Sequence, residues 1–281
     1  MPIEHISDTA RWVAIHRAIE SERPDALFKD PYARRLAGTS GEEIERGMKW
    51  RKGAQVAMAV RSHVMDEIIL REVRAGADCV LNLAAGLDAR PWRLDVPASL
   101  RWVDVDLPDI LEYKTGMLAA ERPRCRYEAV KLDLRDGAAR RALFARVGAE
   151  AKRVLVVSEG LLIYLEPDDV ASLADDLASV PSFHAWLIDL ASPRLLKWMN
   201  KSWGKRVEAG NAAFKFAPAE GTAFFLAHGW REGEFRSSGE EAQRLGRDFP
   251  MAWLGRVFAL FQSAKTKEEW RRFSGFVLLT R

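Results

Sequence analysis

The stretch "VLNLAAGLDARPWRLD", residues 80–95, decides the fold. It begins as an apolar run interrupted only by Asn82, breaks at Gly86 and ends in charge. A strand with no polar alternation is buried on both faces, which is the habit of a parallel sheet. A glycine at the end of such a strand lets a ligand approach the backbone closely. The chain therefore delivers Gly86 and Asp88 to a turn at the carboxyl end of a central strand, where open α/β sheets bind their ligands.

Working outward, the same texture recurs. "CVLNLAA", "RWVDVDL", "RYEAVKLDL", "RVLVVSEG" and "HAWLIDLA" read as five strands, and "REGEFRS" and "FSGFVLLTR" as two more. Helical stretches separate most of them: "PDILEYKTGMLAAE", "GAARRALFARVG" and "EPDDVASLADDLASV". This alternation predicts an α/β fold with a doubly wound, seven-stranded, mostly parallel sheet. "EGTAFFLAHGW" reads as a further helix. Residues before the first strand are helical: "TARWVAIHRAIESE", stopped by Pro24; "DPYARRLAG", ended by Gly38; and "GAQVAMAVRSHVMDEIILREVRAG", ended by Gly76. The expected organisation is a helical cap over 1–76 and a ligand-binding domain over 77–281. Two aromatic and basic stretches interrupt the domain at about 193–218 and 240–273. The first leaves strand five at the ligand edge and is read as a lid.

Composition narrows the function. Of 281 residues, 48% are apolar and 30% charged, enough for a large core. The net charge of +3 is small and dispersed, so a nucleic-acid partner is not expected. The two cysteines, Cys79 and Cys125, form no Cys-x-x-Cys pair, so neither a metal site nor a disulfide framework is expected. The start carries no signal-like segment and no apolar run is long enough for a bilayer, so a cytoplasmic protein without membrane association is expected. Ten tryptophans should fill the core, with a few left to line a pocket.

The strand ends carry the chemistry. Strand one ends at Gly86, strand two in Asp104 and Asp106, strand three in Asp133 and strand four in Glu159. Helix capping explains one such acid; a row of them beside a glycine turn points to a ligand rich in donors. A strand-two acid can accept both hydroxyls of a ribose. A dinucleotide site asks for Gly-x-Gly-x-x-Gly. Here the turn reads Ala84-Ala85-Gly86-Leu87-Asp88-Ala89, with one glycine and then an acid. That acid would repel a pyrophosphate, which argues against a nicotinamide-linked oxidoreductase. It suits a ligand with an amine and a sulfonium.

These segments resemble the leucine carboxyl methyltransferase family, and within it the bacterial branch similar to tetracenomycin-type polyketide O-methyltransferases. "ESERPDALFKDPYARRLAG", "NLAAGLDARPWRL", "RWVDVDLPDILEYK", "LDLRD" and "SEGLLIYL" match its motifs in order, and the likeness covers nearly the whole chain. It implies a class I, Rossmann-like S-adenosylmethionine-dependent methyltransferase fold with an added helical cap. By the same resemblance, Arg61 in "AVRSHVMDE" holds the cofactor's carboxylate. Ala85 and Gly86 lie under its methionine part, Asp106 takes the ribose, with Asp104 as the competing choice, and Asp133 and Leu134 meet the adenine. Glu159 lies near the methionine end. Ala84-Ala85 stands where many members have Gly-Ala, and Ala89 where Ser or Thr is common.

The expected reaction is methyl transfer to a carboxylate or hydroxyl of a small-molecule acceptor such as a polyketide-like acid. The alternatives are a protein C-terminal carboxylate as acceptor, or a protein that binds the cofactor without catalysis. A carboxylate needs no base, whereas a phenol benefits from one. His63, His184, His228 and Glu159 are the candidate bases, and none is singled out, so the catalytic residue and the oligomeric state stay open. Trp198, Trp203, Phe214 and Phe216, with Arg194, Lys197, Lys201 and Lys205, are read as a lid wall for a flat acid.

Overall fold

Five strands run parallel, four of them largely buried and the edge strand partly exposed along its length. They are β1 (Cys79–Leu83), β2 (Arg101–Asp106), β3 (Arg126–Lys131), β4 (Val154–Ser158) and β5 (Phe183–Ala191). Two more, β6 (Arg231–Ser237) and β7 (Ser274–Thr280), complete one seven-stranded sheet in the order β3-β2-β1-β4-β5-β7-β6. β7 pairs antiparallel with both neighbours. These observations come from a computed structural model that describes residues 6–47, 51–208, 213–249 and 262–281.

All five residues of β1 and of β4 are buried, which accounts for sequences that are apolar apart from Asn82 and Ser158. Alternation sorts the side chains into two layers. Leu81, Leu83, Val103, Val105, Val154 and Val156 face one side, against Phe144 of α6 (Gly137–Glu150) and Leu173 and Leu177 of α7 (Pro167–Ala178). Val80, Trp102, Leu155 and Val157 face the other, against Val60, Val64 and Ile68 of α3 (Arg51–Arg74). At roughly 25 cal/mol per Å² of buried apolar surface, these layers dominate the folding free energy. Trp102, Trp186 and Trp230 are fully buried, and each indole N–H is satisfied, by Asp104, Ser158 Oγ and the Ala174 carbonyl.

A third apolar cluster is shared between the two parts of the chain. Trp12, Ile15 and Ala18 of α1 (Ile6–Ser21), with Leu36 and Ile44 of α2 (Ala33–Gly47), pack on Leu87, Ala89 and Trp92 beside the β1 turn. Ile110 of α5 (Pro108–Met117) joins them. The backbone breaks at Gly38, as the sequence predicts, but helical turns resume beyond it as far as Gly47. "EGTAFFLAHGW" forms a 3-10 helix over Gly221–His228, tighter than the helix expected there.

Of the expected lid, α8 (Pro193–Glu208) leaves β5 as predicted. Phe214 and Phe216, however, are buried packing residues. Phe214 lies against Ile163, Tyr164, Leu196 and Met199, and Phe216 belongs to the main core. Apolar burial won over the ligand-facing role expected of them. Trp198 is exposed, and Arg194 lies over the Trp270 ring at 4.8 Å. The side chains of Trp203 and Lys205, and residues 250–261 of the second stretch, lie outside the described residues.

Candidate functional site

The strand order reverses between β1 and β4, so their carboxyl ends open a crevice. Of the predicted residues, Arg61, Ala85, Gly86, Asp106 and Glu159 gather there. The turn after β1 is tight: Ala84 has φ 53° and Gly86 φ 51°, both in the left-handed region. The Ala85 N–H donates to the Val105 carbonyl at 3.1 Å. The Gly86 N–H donates to Asp106 Oδ2 at 2.6 Å, and the Leu107 N–H to Asp106 Oδ1 at 2.7 Å. Burial raises the Asp106 pKa, with the two N–H groups and Lys114 opposing.

Asp104 and Asp106 separate cleanly. Asp104 is fully buried and accepts from Lys114 Nζ at 2.7 Å, Asn82 Nδ2 at 3.0 Å and Trp102 Nε1 at 2.9 Å. It holds α5 and β1 to β2. Asp106 lies at the strand end and is partly exposed.

Glu159 and Arg61 meet across the crevice. Arg61 Nε lies 2.9 Å from Glu159 Oε1, and Arg61 Nη1 lies 3.3 Å from Asp189 Oδ2. Gly160 makes room for this: with φ 65°, a Cβ there would stand 3.2 Å from Arg61 Nη1. Its N–H donates to Asp189 Oδ1 at 2.7 Å. Burial opposes ionisation of both partners. The neighbouring charges outweigh it, so Glu159 is held below the usual carboxylate range and Arg61 above its ordinary value.

Asp88 does not reach the crevice as the sequence suggested. It is buried, accepting from Asn82 Nδ2 at 3.1 Å, Arg90 Nη1 at 2.8 Å and the Arg90 N–H at 2.8 Å. Burial pushes its pKa up, but Arg90, Arg17, Arg93 and Lys114 push harder and the net shift is down. Arg90 also binds Asp66 at 2.6 Å and Glu159 at 2.7 Å. Arg93 clamps Asp66 through two bonds of 2.6 and 2.8 Å. Arg17 of α1 joins Asp30 at 3.1 Å and the Leu87 carbonyl at 2.5 Å. This lattice of Arg17, Arg61, Arg90 and Arg93 with Asp30, Asp66, Asp88, Glu159 and Asp189 carries one more negative than positive charge. A cationic ligand suits it.

Asp133 and Leu134 stand apart, beyond the end of β3. Asp133 is tied to Arg135 at 2.6 Å in an open position, and that bond, more than burial, sets its lowered pKa. Leu134 packs on the core edge. The histidines weighed as candidate bases lie elsewhere. His184 bonds the Val154 carbonyl and Glu72 at the opposite edge of the sheet, and His228 bonds Asp175. His63 pairs with Glu67 and lines an open groove of about 590 Å³ with Leu27 and Arg71.

Three residues escaped the sequence reading. Asp189 follows the rule of acids near strand ends, which was applied only as far as β4. Tyr164, partly buried near Arg61, lies within the quoted "SEGLLIYL". His16 of α1 gave no signal in sequence, being one polar residue on a helix. α1 lies over the whole turn, and a Cβ at Gly86 would stand 3.3 Å from Ala10 Cβ.

A family model described as leucine carboxyl methyltransferase matches residues 10–178, from α1 to the end of α7. A putative S-adenosyl-L-methionine-dependent methyltransferase of Saccharopolyspora erythraea is 38% identical over 181 residues, covering 61% of this chain and 62% of that protein. Another, from Mycobacterium tuberculosis, is 31% identical over 271 residues, 88% of this chain and 86% of the relative. Among solved structures, a DUF574 family protein from Streptomyces avermitilis shares the fold, with a TM-score of 0.59 at 16% identity over 96% of each chain. Among the described residues, no helix is long and apolar enough to cross a membrane.

Proposed function

Because the chain belongs to the leucine carboxyl methyltransferase family and is an S-adenosylmethionine-dependent methyltransferase of class I fold, we propose that it methylates a carboxylate oxygen of a small organic acid. The crevice fits the cofactor. Its surplus of negative charge matches a sulfonium, and Asp106 stands at the strand end beside the glycine turn. In this reading Arg61 takes the cofactor's carboxylate, Gly86 and Ala85 underlie its methionine part, and Glu159 lies toward its ammonium. Asp106 takes the ribose, and Asp133 and Leu134 meet the adenine. Bound S-adenosylmethionine supplies an electrophilic methyl group on an excellent leaving group. The chain's residues then need only hold an acceptor close and aligned, which lowers a barrier by roughly 7–11 kcal/mol.

The acceptor class rests on one observation. Glu159, the candidate base that lies in the crevice, is fixed between Arg61 and Arg90 and kept ionised. A carboxylate fixed this way is a poor proton acceptor, so an acceptor already ionised at neutral pH is favoured over a phenol. The test uses tritiated S-adenosylmethionine with matched panels of aromatic and aliphatic acids and phenols. Alkali should release the transferred label as methanol, as a methyl ester does. Label that survives alkali on a phenolic product would overturn the reading.

A further inference from the structure

His16 is almost wholly buried, at 1% exposure, and neither ring nitrogen has a hydrogen-bond partner. An imidazole left this way costs free energy at each unpaired nitrogen, and buried polar groups in native proteins are nearly always satisfied. Its setting points to what satisfies it. On α1, Ala10 and Arg17 are seven residues apart and share a face. Ala10 sits over Gly86, and Arg17 binds the Leu87 carbonyl. Thr9 and His16 form the adjacent stripe by the same spacing, and the Arg61 charge acts on the His16 ring. His16 therefore lies on the side of α1 that turns from the glycine turn toward Arg61, with Trp12 edge-on at 4.9 Å fixing its ring. Ser62 Oγ, next to Arg61 in the chain, is also buried and unpartnered, and the Arg61 Nε–H lies near Glu159 without an aligned bond.

We propose that His16 is a cofactor-binding residue, donating a ring N–H to the amino-acid carboxylate of S-adenosylmethionine alongside Arg61. The local charges explain why a neutral donor serves here. Arg61 is already shared between Glu159 and Asp189, so an arriving carboxylate needs a further donor. A second cation would compete with Arg61 for the same acids. A neutral imidazole adds the hydrogen bond without the charge. Burial, reinforced by Arg51 and Arg61, holds the ring neutral, with its pKa pushed down to about 3. The imidazole comes from the cap, so the helix that covers the glycine turn also reads the ligand.

This inference rests on the placement of the cofactor proposed above, and the test separates the two. Calorimetry compares S-adenosylhomocysteine with 5′-methylthioadenosine, which lacks the amino-acid end. His16→Leu should weaken S-adenosylhomocysteine binding by ~10-fold or more, the usual loss for a hydrogen bond to a charged group, and leave methylthioadenosine unchanged. His16→Gln, which keeps a neutral donor, should recover most of the loss. Equal affinity of His16→Leu and wild type for S-adenosylhomocysteine overturns the proposal, and so does a parallel loss for both nucleosides. Absence of S-adenosylhomocysteine binding by the wild type would instead sink the underlying cofactor placement. A misfolded His16→Leu protein shifts the decision to His16→Gln, where a selective loss as large as a missing hydrogen bond also counts against a donor role.

Discussion

The two halves of the crevice are built on opposite principles. At the ends of β1 and β4, four arginines and five carboxylates interlock beneath the cap, mostly buried, and each holds another in place. At the end of β3, Asp133 meets a single exposed arginine in its own turn. The first half is a preformed frame, one negative charge in excess, whose members are already paired with one another when a ligand arrives. The second is an open shelf, screened by water, that contributes little until something lies on it. The contrast teaches that a motif's charged letters divide into those that build the site and those that face it. Within "GLDARPWR", only the glycine belongs to the second group.

The sharpest way to test that contrast is to cut the frame. Arg90→Met leaves Asp66, Asp88 and Glu159 short of a cation in a buried place, and should cost about 3–5 kcal/mol in denaturant unfolding. Asp133→Ala should stay within about 0.5 kcal/mol of wild type in the same assay. Equal effects would erase the distinction between frame and shelf.

A second comparison sets the two acids of β2 against each other. Asp106→Ala should weaken S-adenosylhomocysteine by roughly 10–100-fold, the range for hydrogen bonds to a charged group. Asp104→Asn should instead lower stability, because Lys114 Nζ loses its buried carboxylate partner. Calorimetry and thermal melts on both variants decide it, and reversed outcomes would exchange the two roles.

The frame also contains a proton-linked weakness. His16 has a pKa of about 3 when folded against 6.5 in the unfolded chain. Below pH 6.5 the unfolded state takes up a proton that the folded state refuses, so stability falls as pH falls. From pH 7 to pH 5 the loss should be about 2 kcal/mol. His16→Leu should remove that part of the slope, and an unchanged slope would place its cause elsewhere.

The smallest expected effect concerns the turn itself. Ala84 adopts φ 53°, where an alanine is strained by about 1–2 kcal/mol. Ala84→Gly relieves this at some cost in unfolded-state entropy, for a net gain near 0.5–1 kcal/mol in chemical denaturation. A loss of stability would show that the Ala84 methyl packs well enough to outweigh the strain.

How much of this was legible beforehand follows from the range of the interactions. The strands and most helices could be read because burial on one or both faces writes itself into neighbouring residues. Gly86, Asp106 and Glu159 could be placed because strand ends converge on one edge in a doubly wound sheet. Asp66 with Arg90 and Arg93 could not, since partners 24 and 27 residues apart leave no local pattern. The packing of Phe214 and Phe216 could not be told from a ligand-facing role, because aromatic residues that pack and aromatic residues that bind look alike in sequence. His16 was invisible because its meaning lies in what fails to touch it.

The apolar cluster shared by Trp12, Ile15 and Leu36 with Leu87, Ala89 and Trp92 has a thermodynamic consequence. The cap and the turn it covers share one apolar interior, so loosening either exposes apolar surface of the other. A ligand gripped at the turn then stabilises the helices as much as the sheet. Each tenfold rise in its free concentration above Kd adds about 1.4 kcal/mol to the whole of that joint structure. Bound cofactor thereby adds stability to the cap as well as to the turn, beyond its part in turnover.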